Sequence, residues 1–244
     1  ALAGPWLLPA SALELAPSDY KDLRQALRVK DARIVAQRFS PLGVVTVVDS
    51  PLAPLHHAPG LSLNAAAGPP PQLGLFIDGQ AAGALTRYDG DLAPLAYLGD
   101  TTAALPYRLL DHPRVLVLGA GAGNDVLQAL IHGARRIDAV ELDAQVVALV
   151  QKDLAAFSGR PYDAPGVGLH VSEARGFVAA SREDYDLIQV ALLDAFASSA
   201  AGLGALSGSH LYTVEALEAY LARLAPGGLL AITRWVALPP RDSL

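Results

Sequence analysis

The chain of 244 residues contains no cysteine. Disulfides, thiolate metal ligands and a cysteine nucleophile are therefore excluded. Methionine is missing too, even at position 1. An open reading frame starts with methionine, so the expectation is a processed product or a piece of a longer chain. Charged residues make up 17%, the net charge is −6, and no long Lys/Arg cluster occurs. Nonspecific nucleic-acid binding needs a basic footprint, so no nucleic-acid partner is expected. The six histidines include no H-x-x-x-H pair. His56 and His57, adjacent in a Pro-rich loop, read as solvated, and no metal site is predicted. Residues 1–15 are apolar, but two prolines break them and they lack the basic flank of a signal peptide. They are too short to span a bilayer. They read either as a packed or disordered arm or as the tail of a preceding membrane segment.

What is present is globular. Apolar residues make up 52%, enough for a large core or for a small domain beside a medium one. Ser18–Val29 has helical spacing at Tyr20, Leu23 and Leu27, with Ser18 as candidate cap. Two β-rich runs, Arg33–Phe39 and Val44–Asp49, flank the turn Ser40-Pro41-Leu42-Gly43. Leu73–Ile77 and Ala81–Thr86 flank Asp78-Gly79, a second hairpin. Pro94–Leu110 reads as helix. From Arg114 the pattern changes to alternation. Strands are predicted at Arg114–Leu118, Arg136–Glu141, Val167–Val171, Asp186–Ala191 and Leu229–Trp235. Helices are predicted at Asn124–His132, Ala144–Phe157, Ala174–Ala180 and Thr213–Leu224. This is an α/β fold, a doubly wound and mostly parallel sheet behind a small antiparallel β unit. The expected division is an arm with a short helix over 1–32, a β-hairpin domain over 33–90 and a nucleotide-binding domain over 91–244.

Gly119-Ala120-Gly121-Ala122-Gly123 lies between a buried strand and a helix, where glycine permits a tight turn and close approach of a ligand to the main chain. Glu141 ends the next strand, 22 residues after Gly119, where a carboxylate accepts from ribose hydroxyls. Dinucleotide enzymes favour G-x-G-x-x-G with a pyrophosphate over the helix. Here the third glycine comes one residue early, and that spacing resembles the S-adenosylmethionine loop, which cradles no phosphate. Glu173 follows the third strand. It is either an adenine-amino acceptor or an acid favoured at a helix start. Asp143 reads as a helix cap. Asn124 and Asp125 suit either a cap or a ligand contact. Leu224-Ala225-Pro226-Gly227-Gly228 resembles the L-x-P-G-G turn of class I methyltransferases.

Leu75-Phe76-Ile77-Asp78-Gly79, Val115–Asn124, Val140-Glu141-Leu142-Asp143, Ser172-Glu173-Ala174-Arg175 and Tyr185-Asp186-Leu187-Ile188 follow the order of the spermidine synthases, which this chain resembles. Ser40-Pro41-Leu42-Gly43, Leu105-Pro106-Tyr107 and Leu211-Tyr212-Thr213-Val214-Glu215-Ala216 look like a bacterial subgroup often fused to membrane segments. The resemblance implies S-adenosylmethionine or its decarboxylated form as co-substrate. It implies Gly119, Ala120, Gly121, Gly123, Asn124, Glu141, Leu142, Glu173 and Ala174 around that co-substrate. It further implies a small amine-like acceptor, and a cytoplasmic domain tethered to a membrane through a longer parent, with a homodimer as one assembly.

Spermidine synthases transfer an aminopropyl group to an amine, which must lose a proton to attack. The family's D-x-x-D after the fourth strand is here Ala191-Leu192-Leu193-Asp194, so its first acid is replaced by alanine and its second is Asp194. The family's Y-x-E is Tyr97-Leu98-Gly99, with Asp100 one residue late. Its glutamine after D-G-x-x is represented by Gln80 at shorter spacing. Asp194, Asp100 and Tyr212 are the candidate catalytic residues, and Tyr97, Gln80 and His210 the candidate substrate contacts. The stretch 197–209 resembles a lid. The function expected is aminopropyl or methyl transfer. The alternative is a non-catalytic adenosyl-binding module of a larger membrane-associated protein. In a fold of this class two further strands are expected after residue 235.

Overall fold

The structure is a computed structural model that describes residues 18–192 and 210–234. Two sheets organise it. The first is antiparallel, in the order β1 (Arg33–Ser40), β2 (Gly43–Asp49), β3 (Gln72–Ile77) and β4 (Gln80–Thr86). Asp78 closes the second hairpin with φ +48°, and its Oδ1 accepts the Val44 N–H at 2.7 Å, tying the two hairpin ends together. The preceding helix α1 is shorter than its sequence period suggests, Asp22–Ala26. Lys21 rather than Ser18 stands at its N-cap, because Ser18 closes a separate turn through its carbonyl.

The second sheet contains β5 (Arg114–Leu118), β6 (Arg136–Glu141), β7 (Val167–Val171), β8 (Tyr185–Val190) and β9 (Leu224–Ile232) in the order β7-β6-β5-β8-β9. All four pairings are parallel. Successive residues of β5 face opposite layers. Val115 and Val117 join a core with α2 (Asn124–Ile131) and the small sheet, through Val45, Val47, Leu73, Leu75 and Leu85. Leu116 and Leu118 join a second core with α5 (Ala174–Ala180) and α6 (Val214–Leu221). The alternating apolar runs thus make a doubly wound α/β sheet with a small antiparallel sheet against it, as the sequence predicts.

Three elements differ from their sequence periods. Pro94–Leu110 is two 3₁₀ segments, Ala93–Asp100 and Thr102–Arg108, because Thr101 is extended and Pro106 lacks the N–H that an α-helix requires there. Ala144–Phe157 is broken into α3 (Ala144–Ala148), a π turn (Leu149–Asp153) and α4 (Ala155–Ser158). The last strand starts five residues early, at Leu224, with Ala225–Gly228 taken up between the pairings Tyr185↔Leu224 and Leu187↔Leu229. Among the described residues no helix is long and apolar enough to cross a membrane.

Candidate functional site

In an open parallel sheet the ligand crevice lies at the carboxyl ends of the strands, where the strand order reverses. Here β5 is flanked by β6 on one side and β8 on the other, so that point is the end of β5. A cleft opens there. Its lining includes Gly119–Ala122, Asn124 and Asp125 after β5, Ala191 and Leu192 after β8, Ala82–Ala84 of β4, Tyr97 and Leu98, and His57. His57 is therefore not a solvated loop residue. Its main chain is pinned on both sides, by Gln72 Oε1 accepting its N–H and Gln72 Nε2 donating to its carbonyl, and burial lowers its pKa.

The glycine loop is held from several directions. Gly119 and Ala120 donate to Val140 O, Gly121 donates to Glu141 Oε2 at 2.7 Å, and Gly123 donates to Ala120 O. The Tyr162 hydroxyl donates to Gly121 O at 2.6 Å. Gly123 has φ +92°, and a Cβ there would lie 2.7 Å from Pro161 Cγ, so the turn and the packing both require glycine. Four of the loop's five N–H groups are thus consumed within the protein. They are closed to a ligand.

Glu141 is buried at the end of β6. Its second oxygen accepts the Asp143 N–H at 2.8 Å. Burial raises its pKa, with the Asp143 charge adding to the rise, and the Asp143, Gly121 and Leu142 N–H groups oppose it. Asp143 caps α3 through Gln145 N–H and also accepts from the Ser40 hydroxyl of the small sheet. Glu173, one strand further, caps α5, accepting from Arg175 and Gly176 N–H at 2.9 and 2.6 Å. The main chain joins the two strand ends, Ser172 N–H to Glu141 O. Leu142, 43% exposed, lies between them in sequence, whereas the Ala174 side chain packs into the second core.

A polar network backs the cleft. Tyr107, buried and with its pKa pushed well up by burial, stays a hydroxyl and donates to Gln189 Oε1 at 2.6 Å. That bond fixes the Gln189 amide, whose nitrogen donates to Asp125 Oδ1 at 2.6 Å and to Gln128 Oε1 at 3.1 Å. Gln128 in turn donates to Leu98 O and Thr101 Oγ1. Burial pushes the Asp125 carboxyl up from 3.8 to about 6, against the Gln189 bond. Asn124 donates to Ala84 O at 2.9 Å, and its buried Oδ1 has no hydrogen-bond partner among the described residues.

The family model described as "Spermine/spermidine synthase domain" matches residues 102–233, more than half of the chain. The chain belongs to the spermine/spermidine synthase family. Curated polyamine aminopropyltransferases from Korarchaeum cryptofilum and Pectobacterium atrosepticum are 27% and 28% identical over 148 and 138 residues. Those regions are 60% and 55% of this chain but 41% and 45% of the relatives, so the chain spans less than half of their length. A spermidine synthase in complex with the transition state analogue AdoDATO superposes with TM-score 0.56 at 18% identity, covering 82% of this chain and 56% of that one. Spermidine synthase from Thermotoga maritima gives 0.55 at 17%, covering 82% and 55%. These likenesses show the fold.

Within this family member, Gly119, Ala120, Gly121, Asn124 and Tyr97 share the cleft. The Tyr97 hydroxyl is 3.4 Å from Thr86 Oγ1, and burial raises its pKa. Gly123, Glu141, Leu142, Glu173 and Ala174 form the adjoining rim at the ends of β5–β7 rather than the cleft lining. Gln80 stands outside the cleft lining. Its amide pairs with Asp22 and Lys21 of the α1 region, and the cleft-lining residue two places on, at the family's D-G-x-x-Gln spacing, is Ala82. Asp100 also stands outside the cleft lining, half exposed and 3.7 Å from Arg108. Tyr212 packs on the second core with the Arg234 guanidinium over its ring, away from the cleft lining. His210 starts the 3₁₀ turn His210–Tyr212. Asp194 and the whole of the predicted lid, 197–209, lie outside the described residues. Sequence reasoning missed Gln189, Gln128 and Tyr162, for which no local motif exists, gave Tyr107 no role although it closes the Leu105-Pro106-Tyr107 motif, and left Asp125 undecided.

Proposed function

We propose that this chain binds decarboxylated S-adenosylmethionine across the carboxyl ends of β5, β6 and β7 and transfers its aminopropyl group to a small amine in the cleft. The observation that carries this reading is the polarity of the site. Four of the loop's five N–H groups are spent internally, and the described lining contains no Lys or Arg. No cationic side chain meets an anion there, whereas a sulfonium or ammonium meets the Asp125 carboxylate. Glu141 would take the ribose hydroxyls. One oxygen accepts from Gly121 of the loop and the other from Asp143 N–H, so acceptor capacity remains. Glu173 has the same reserve for an adenine amino group. Leu142 offers an apolar edge between them.

In the transfer, the acceptor nitrogen attacks the propyl carbon bonded to sulfur, the C–S bond breaks, and methylthioadenosine leaves. For that attack the acceptor ammonium must first give a proton to a base, the role proposed for Asp194, since Ala191 cannot take a proton. Calorimetric titration with decarboxylated and intact S-adenosylmethionine, followed by detection of methylthioadenosine across a panel of diamines, tests this. Preferential binding of the decarboxylated form with release in the presence of a diamine is expected. Binding without release would establish the non-catalytic module instead. Methylated amine would establish methyl transfer.

A further inference from the structure

The family's acids at the acceptor side are replaced where the structure places them near the cleft. Ala191 stands for the first acid of D-x-x-D, and Gly99 for the acid of Y-x-E. Ala191 is 4% exposed and lines the cleft. Yet the same lining contains a carboxylate the family pattern does not supply. Asp125, in the first turn of α2, is the only Asp or Glu among the described lining residues. Its partner Gln189 lies on β8, two residues before Ala191, so the strand end that lost an acid reaches across with an amide to hold this one. The amide cannot turn over, because Tyr107 donates to its oxygen. Asp125 forms no ion pair among the described residues, so its charge is met inside the protein by an amide dipole rather than by a cation.

Its neighbour adds a second acceptor. The Asn124 nitrogen is committed to Ala84 O, which leaves the amide oxygen of this cleft-lining residue buried and unsatisfied. A buried acceptor without a donor is destabilising, and so is a buried carboxylate without a cation. An alkylammonium relieves both, because it has three N–H donors and a positive charge. We propose that Asp125 and Asn124 form an alkylammonium-binding subsite that replaces the acid missing at Ala191, with Gln189, oriented by Tyr107, as its positioning residue. The inference rests on the adenosyl reading above for the identity of the nucleotide, not for the chemistry of the subsite. The ammonium belongs either to the propyl chain of the nucleotide or to the acceptor amine.

The test separates these sources. The parent chain and Asp125→Asn are titrated with three nucleosides: decarboxylated S-adenosylmethionine, its dimethylsulfonium analogue without the amine, and neutral methylthioadenosine. Putrescine and neutral butane-1,4-diol are titrated in parallel. Asparagine keeps the shape and the acceptor that Gln189 uses but removes the charge. The ammonium-bearing ligand should lose about 10- to 100-fold in affinity while the amine-free nucleosides change by less than about threefold. Loss confined to the decarboxylated nucleotide assigns the subsite to the donor, and loss confined to putrescine assigns it to the acceptor. Asp125→Glu, which restores the charge, should recover most of the affinity and covers the case of an unstable Asn variant. Equal losses for all nucleosides, or none for any ammonium, would overturn the proposal. If the parent binds no nucleoside, the adenosyl reading fails, and putrescine against butanediol alone decides the subsite.

Discussion

The two ends of the parallel sheet treat carboxylates in opposite ways. At the amino end, Arg114 and Arg136 open β5 and β6. Asp138 receives Arg114, Arg136 and His170, while Glu183 pairs with Arg114 and Asp186 with Arg135. Burial tends to raise the Asp138 pKa, but its bonds from His170, Arg136 and Arg114 hold it below the usual value. At the carboxyl end, Asp125, Glu141 and Glu173 accept from an amide and from backbone N–H groups, and none has an ion pair among the described residues. Burial raises both Asp125 and Glu141. A carboxylate matched by cations holds the fold together. A desolvated carboxylate without one raises the energy of the empty site, and a cationic or hydroxyl-rich ligand can recover that energy.

The sharpest way to break this contrast is Glu141→Ala. If the acid closing β6 holds the ribose, decarboxylated S-adenosylmethionine and methylthioadenosine should both lose about 10²–10³-fold in affinity, the loss of two charge-assisted hydrogen bonds and of the support for Gly121. Calorimetry measures it. Retained affinity would place the nucleoside elsewhere. At the other end, Asp138→Asn should leave nucleoside affinity unchanged but lower stability by about 2–3 kcal/mol in urea unfolding, the lower side of the range for a broken buried pair because its partners are partly exposed. Its folded pKa lies below the unfolded value of 3.8. The stability it contributes is therefore complete above about pH 4–5 and disappears as pH falls through the folded value, so the variant and parent should converge in acid. Loss of nucleoside affinity in this variant would erase the division between the two ends.

The contrast was only partly legible in the sequence. Alternating apolar runs and Gly119–Gly123 locate the parallel sheet and its crevice, because both signals are local and periodic. Glu141 is legible through its distance from the loop. The network behind the cleft is not, since Asp125, Tyr107 and Gln189 are separated by 64 and 82 residues along the chain and meet through the register of β5 and β8. Gln80 illustrates the converse: it falls near a family position by spacing, but a shift of two residues puts it in the pairs with Asp22 and Lys21 instead. Glu173 was ambiguous for a physical reason, because an acid after a strand and before a helix suits a cap and a ligand alike, and here the cap bonds are made. The π turn at Leu149–Asp153 left no mark because its residues keep a helical apolar period while Arg38, from β1, binds Asp153 across the sheet interface.

The smallest predicted effect separates Asp125 from Asp138 most directly. Substituting a carboxylate that serves the fold lowers stability, whereas substituting one that waits for a ligand should raise it. Asp125 titrates at about 6 in the folded protein against 3.8 for the free side chain. Between those values the folded state holds a proton that the unfolded state has released, so stability falls as pH rises through that window, and the full penalty is present above about pH 6. The groups that share its surroundings are Tyr107, Tyr162 and Glu141, with His57 and Tyr97 across the cleft. The tyrosines Tyr107, Tyr162 and Tyr97 are held up by burial and stay neutral there, and His57 is held down. Burial raises Glu141 in parent and variant alike, so it cancels in their difference. Asp125→Asn has no charge to desolvate, so in the absence of ligand it should exceed the parent by about 1–2 kcal/mol at pH 7.5, with the gap closing below about pH 4. Urea unfolding at pH 4, 5.5 and 7.5 measures the gap. A variant less stable than the parent at every pH would make Asp125 a second Asp138, a carboxylate that serves the fold, and the cleft would lose its claim to a cation.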